Sequence, residues 1–253
     1  MAGLDLISTY SSESDDEEKN EEQPDGKVLN HLPLPQSIVK WEGVPHHEDV
    51  IDDETMHDGR KRSFKHERGN WASLIYINYE PSEDMHKWMI SVLKRMPVKC
   101  NTLFENLHIS LSRTLILKFH WIQSFTNDIK QLCGQLNRFT LDFSNLRVYC
   151  NDEKTRTFLG LECTDRSGTL QLFMRNINIL LKEYGLPPFY EDGSFHISIL
   201  WCLGDETKQL GNIEFLHSLG FNEFLAQQKE ERYVSVNEIH FKSGNKTYGF
   251  NLK

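Results

Sequence analysis

The sequence predicts an α+β fold of mostly antiparallel strands flanked by helices and organised as two related halves. Three observations carry that expectation. Runs of alternating apolar and polar residues, the pattern of a half-buried strand, interleave with stretches whose apolar residues recur at three and four, the pattern of an amphipathic helix. Several strand runs are joined by short polar turns, as antiparallel neighbours are. One strand pattern also occurs twice, as Leu107-His-Ile-Ser-Leu111 and Phe195-His-Ile-Ser-Ile199. Of eleven histidines only His108 and His196 open a His-x-Ser, and they stand 88 residues apart, about half of a modest domain.

Body-forming sequence begins near Arg60, so residues 1–59 are expected to be an acidic tail and residues 60–253 a single two-lobed domain. Of the 253 residues, the first 60 hold 16 acidic against 4 basic side chains. The remainder carries 21 acidic and 24 basic, so the overall charge of −9 belongs to the tail and the body is mildly basic. The run Ser11-Ser-Glu-Ser14-Asp-Asp-Glu-Glu18 has almost nothing to bury and reads as disordered. Its serines are candidate phosphorylation sites, with a plain solvated leader as the simpler reading. Pro33 and Pro35 mark an extended stretch, and His46-His47 lacks ligand-spaced partners and reads as loop.

The basic stretch from Arg60 to Arg68 suits a nuclear localisation signal or a phosphate-contacting edge as well as a solvated entry strand. Trp71–Tyr79, rich in aromatic and β-branched residues, is a strand. Pro81-Ser-Glu-Asp opens a helix that runs to about Arg95, where Pro97 ends it. The His108 strand follows, then a helix over 119–137 with Phe119, Ile122, Phe125, Ile129, Leu132 and Leu136 on one face. Phe139–Cys150 and Thr155–Thr164 form a hairpin around Asn151-Asp-Glu-Lys154. Leu170–Tyr184 is helical and is stopped by Gly185 and Pro187-Pro188. The His196 strand, a helix over Glu206–Leu219, and strands Tyr233–Phe241 and Lys246–Leu252 around a Gly244-Asn245 turn complete the chain.

The five cysteines are odd in number and show no Cys-x-x-Cys, so they read as reduced core residues of an intracellular protein. No apolar leader follows the start and nothing approaches a transmembrane span, so no membrane association is expected.

In each His-x-Ser the two polar residues lie two apart and share one face of the strand, while the apolar residues anchor the other. Histidine gives and takes a proton near neutral pH, so two facing one substrate can divide general base and general acid work. Ser110 and Ser198 can donate hydrogen bonds to a phosphate oxygen. The set suits RNA cleavage by its own 2′-hydroxyl, yielding a 2′,3′-cyclic phosphate. The site has no carboxylate cluster of the kind that holds Mg²⁺, so no metal is expected. The residues do not decide which imidazole is the base; His108 as base and His196 as acid is the provisional pairing. A strand histidine satisfied in the core, sheet hydroxyls at Ser110 and Ser198, and a packed aromatic at Tyr190 are the competing readings. Trp121 and Phe125 read as core, and His120 as structural.

Paired His-x-Ser strands half a domain apart resemble the two-histidine (2H) phosphodiesterase superfamily. Longer blocks resemble one branch, the U6 small nuclear RNA phosphodiesterase family, over about residues 60–253. They are His66-Glu-Arg-Gly-Asn-Trp71, Glu153-Lys-Thr-Arg-Thr-Phe158, Phe189-Tyr-Glu-Asp-Gly-Ser-Phe-His-Ile-Ser198, Trp201-Cys-Leu-Gly-Asp205 and Lys242-Ser-Gly-Asn-Lys246. The resemblance implies a bilobed, pseudo-two-fold fold with the catalytic cleft between its lobes. It implies a nuclear, metal-independent 3′-to-5′ exoribonuclease, without cofactor, that trims the oligo(U) end of U6 snRNA and in animal members leaves a 2′,3′-cyclic phosphate; a monomer acting on single-stranded RNA 3′ ends with oligo(U) or oligo(A) tails is expected. It further implies that Tyr190 stacks on the terminal base and that the Asp152 loop contacts a base. With Ser194 they join Ser110 and Ser198 as the expected substrate-binding set around catalytic His108 and His196. Hydrolysis of a 2′,3′-cyclic phosphate, or non-catalytic binding of an RNA 3′ end, are the alternatives.

Overall fold

The computed structural model describes residues 67–190 and 194–253, with Gln36 as an isolated helical position. The acidic tail with its serines, His46-His47, the basic residues 60–66 and residues 191–193 lie outside the described residues. From Glu67 onward every described element belongs to one unit, Asp49–Lys253.

β1 (Asn70–Asn78) buries alternate residues, with Ile75 and Ile77 in the core. α1 (Glu83–Lys94) starts where the Ser82 hydroxyl accepts the Met85 N–H at 3.0 Å, with Glu83 and Asp84 against the positive end of the helix dipole. Its apolar face buries Met85, Trp88, Met89 and Val92. After the short strand β2 (Cys100–Thr102) comes β3 (His108–Ser110), then β4 (Leu115–Lys118) and, behind a 3₁₀ turn, α2 (Ile122–Cys133). β5 (Phe139–Cys150) and β6 (Arg156–Thr164) form the expected hairpin, followed by α3 (Thr169–Glu183) and β7 (His196–Leu203). Three short helices, α4 (Thr207–Leu210), α5 (Ile213–Ser218) and α6 (Phe221–Gln227), lead to β8 (Tyr233–Val236), β9 (Glu238–Ser243) and β10 (Lys246–Asn251). The turn between β9 and β10 has Gly244 at φ 56°, a left-handed conformation that glycine adopts without cost.

The ten strands make one antiparallel sheet in the order β10-β9-β1-β3-β7-β6-β5-β8, with β2 added to β7 and β4 to β1. Only Asn237 separates β8 from β9, yet β8 is last in that order and β9 second. The sheet therefore curls strongly on itself. The two His-bearing strands, β3 and β7, pair with each other in the middle of that order.

Three expectations are corrected. The run Tyr233–Phe241, read as one strand, is two strands far apart in the sheet order, because β8 pairs with β5 at one edge and β9 lies between β1 and β10. The helix expected over Glu206–Leu219 is broken, because Asn212 leaves helical geometry and its side chain accepts the Glu214 and Phe215 N–H groups, starting a new helix. The five cysteines are not all reduced. Cys100 and Cys202 face each other across β2 and β7, with Cα atoms 4.5 Å apart, and form a disulfide; Cys133, Cys150 and Cys163 are free.

Candidate active site

Ile109 of β3 lies directly opposite Ile197 of β7, and both are fully buried. Residues opposed across an antiparallel pair point to the same face. Side chains alternate, so His108, Ser110, His196 and Ser198 all project from the other face, and all four are half-buried. Antiparallel register advances one strand as the other recedes. His108 therefore stands across from Ser198, and Ser110 across from His196. The duplicated motif thus forms one four-residue cluster with diagonal two-fold character.

Each imidazole is anchored in the same way. His108 Nδ1 lies 2.8 Å from the carbonyl oxygen of Asn106, and His196 Nδ1 lies 2.9 Å from that of Ser194. A carbonyl oxygen only accepts, so Nδ1 carries the hydrogen in both rings. In the neutral tautomer the lone pair is then on Nε2, the nitrogen left for a substrate.

The surroundings differ. Tyr76, opposite Ser110 on β1, meets His108 edge-on, with ring centroids 5.5 Å apart at 70°. Behind it His240 stacks on Tyr76 at 5.3 Å, and His240 Nε2 is 3.4 Å from Glu238. Tyr149 of β5 instead lies flat on His196, with centroids 3.7 Å apart and planes 14° from parallel. The Tyr149 hydroxyl is 2.8 Å from Ser194 Oγ, which is itself 3.1 Å from Glu162 Oε1. A carboxylate accepts only, so Ser194 donates to Glu162 and Tyr149 donates to Ser194. Arg147 and Ser144 also donate to Glu162, at 3.1 and 3.2 Å. Burial would raise the Glu162 carboxyl, but these hydrogen bonds outweigh it and hold the group below its usual range. Burial pushes the Tyr149 hydroxyl up to about 12, so it stays a donor. Burial, together with the neighbouring His108 and Arg147, lowers His196 below the ordinary histidine value despite its bond to the Ser194 carbonyl and the nearby Glu162.

The remaining expected residues fall into two places. Ser194 belongs to the His196 bracing just described, through both its hydroxyl and its carbonyl. Tyr190 and Asp152 meet at a residue the sequence reading passed over. The Arg113 guanidinium carbon lies 3.6 Å above the Tyr190 ring, and Nη1 is 3.2 Å from Asp152 Oδ2. Arg113 Nε is buried without a hydrogen-bond partner among the described residues. Tyr76, Tyr149, Glu162 and Arg147 were also missed. Gly160 was the available signal, since a glycine inside an apolar strand marks a close approach. Among the described residues no group of three His, Cys, Asp or Glu is arranged to hold a metal ion, and no helix is long and apolar enough to cross a membrane.

The family described as "HVSL: Uncharacterised conserved protein" matches residues 32–251. The chain is 36% identical over 246 residues to U6 snRNA phosphodiesterase 1 of Xenopus laevis, covering 96% of this chain and 97% of that one. Identity to the Mus musculus protein of that name is 38% over 227 residues, covering 88% and 84%. For the Drosophila melanogaster protein it is 33% over 263 residues, covering all of both chains. The fold resembles that of Kluyveromyces marxianus Usb1 solved with uridine monophosphate, at a TM-score of 0.53 and 15% identity over 72% of this chain and 98% of that one. With its paired His-x-Ser strands joined at the centre of one sheet, this chain belongs to the U6 snRNA phosphodiesterase 1 family.

Proposed function

We propose that this protein is a phosphodiesterase that shortens the 3′ end of U6 snRNA by transesterification, without metal or cofactor, and that it acts in the nucleus. The names of its relatives support the substrate, and one observation carries the chemistry. Two imidazoles, each with Nδ1 tied to a carbonyl, share a sheet face with two serine hydroxyls that have no hydrogen-bond partner among the described residues.

One imidazole Nε2 removes the proton from the 2′-hydroxyl next to the scissile phosphate. The 2′-oxygen forms a bond to phosphorus while the bond to the 5′-oxygen of the terminal nucleotide breaks. The second imidazole, protonated, gives its Nε2 proton to that departing oxygen. A nucleoside leaves, and a 2′,3′-cyclic phosphate remains on the shortened RNA. Ser110 and Ser198 donate to the non-bridging oxygens, where charge accumulates. A base must be unprotonated beforehand. Burial lowers His196 and so favours its neutral form, so His196 suits the base and His108 the acid. This reverses the provisional pairing drawn from the residues alone. Tyr190 offers a flat face to the terminal base, held by Arg113 and Asp152.

Incubation with 3′-oligouridylated and 3′-oligoadenylated RNAs, followed by mass measurement of the ends, tests the proposal. Shortening by single nucleosides to a cyclic phosphate is expected, and it persists in EDTA. Open monophosphate ends would point instead to cyclic phosphate hydrolysis. Binding without shortening would point to a non-catalytic module. A 2′-deoxy or 2′-O-methyl group on the nucleotide that supplies the attacking hydroxyl should stop the reaction.

A further inference from the structure

The environment of His196 contains a device that the chemistry above does not require and that His108 lacks. Tyr149 covers one face of the imidazole at 3.7 Å. It reaches that position across β6, where Gly160 faces it. A Cβ at residue 160 would fall 2.8 Å from Tyr149 Cε2 and 3.1 Å from His196 Cδ2, both too close without movement of a ring. The Tyr149 ring is not free to yield cheaply. Its hydroxyl is held by Ser194, Ser194 by Glu162, and Glu162 by Arg147 and Ser144. Ser194 closes the loop, because its own carbonyl holds His196 Nδ1. The imidazole is thus fixed in plane by one hydrogen bond and in tilt by a stacked ring, and both restraints trace to the same serine.

We propose that Tyr149 is the positioning residue of this site, setting the tilt and water exposure of His196 through a flat stack that Gly160 makes possible. This rests on His196 being the base proposed above, but the stack can be read in the free protein without any reaction. Stacking excludes water from one face of the ring and so favours the neutral imidazole needed to accept a proton. The groups facing His196 that also bear on its proton are Arg147 of β5 and His108 of β3, which oppose the charged form, and Glu162 of β6, which favours it.

The test compares the full-length protein with three single variants, Tyr149→Leu, Gly160→Ala and Tyr149→Phe, and with the double variant that combines Tyr149→Leu and Gly160→Ala. Each is first checked for cooperative thermal unfolding. Two readouts are taken: kcat and KM on a uridine-ended RNA, and the titration of the His196 ring by NMR in the free protein. Tyr149→Leu and Gly160→Ala are each expected to lower kcat by about 10²-fold, the scale of a misplaced catalytic group. KM should change little, and the His196 titration should move up toward the ordinary histidine value. Tyr149→Phe, which keeps the flat ring, recovers most of the rate. Adding Gly160→Ala to Tyr149→Leu costs less than Gly160→Ala alone, because the 2.8 Å collision with Tyr149 is gone and only the 3.1 Å approach to His196 Cδ2 remains. An unmoved His196 titration in both folded single variants would overturn the proposal, and so would a loss confined to KM. If Gly160→Ala does not fold, additivity is dropped and the contrast between Tyr149→Leu and Tyr149→Phe decides. If the titration moves as expected while no variant nor the parent cuts RNA, the positioning stands and the enzymatic reading falls.

Discussion

The His108 and His196 halves of the site share a backbone plan and differ in side-chain surroundings. In both, an apolar residue of the strand is fully buried, a histidine two residues before a serine is half-buried on the opposite face, and Nδ1 donates to the carbonyl two residues upstream. In the first half, the aromatic neighbour Tyr76 meets the imidazole edge-on and is backed by His240 and Glu238. In the second, Tyr149 covers the ring and a chain of hydrogen bonds locks it. Repetition of a strand motif reproduces geometry, since register and alternation are backbone properties. It does not reproduce proton affinity, which depends on what packs against the ring from other strands. A near-symmetric site can therefore divide acid and base work.

The largest effect is expected from His108→Ala and His196→Ala, each lowering trimming by about 10²–10⁴-fold while RNA binding persists. Trimming at the parent rate in either variant would remove the chemical basis of the comparison. The shared part of the two halves is tested by Ile109→Ala and Ile197→Ala. Each buried isoleucine should cost about 2–5 kcal/mol of stability in denaturant unfolding. Costs that differed by more than that whole range would show that the halves are not equivalent underneath.

The divergent part is tested by pH. If His196 is the base, kcat/KM rises with pH through the His196 value, because the ring must lose its proton before it can act. Burial lowers that value, so the acidic limb should lie below about 6.5, the ordinary histidine value. A limb above it would remove His196 as the base. The smallest effect is expected at Arg113. Arg113→Lys keeps the charge but loses the planar stack on Tyr190, worth about 0.5–1 kcal/mol at an exposed site, and should raise KM by only a few-fold. No change in KM, or a change as large in kcat, would separate Tyr190 from base binding.

The strands and helices with clear periodicity were legible almost to the residue, as β5, β6 and α3 show. So was the core of the site, since a His-x-Ser in a strand must put both polar residues on one face. Elements too short for a period were not. β2, three residues long, left Cys100 with no visible partner 102 residues away. Asn237, a single residue, was too slight a signal to separate two strands that join distant parts of the sheet.

The sequence by itself determined the two imidazoles, the serines beside them, the antiparallel α+β layout and the acidic character of the first 60 residues. These depend on neighbours along the chain, where periodicity and charge act directly. Only packing between distant segments set Tyr149 over His196, joined Arg113 to Tyr190 and Asp152, and buried His196 enough to lower its proton affinity. Those outcomes depend on cross-strand register and burial, which arise only when segments remote in sequence pack together.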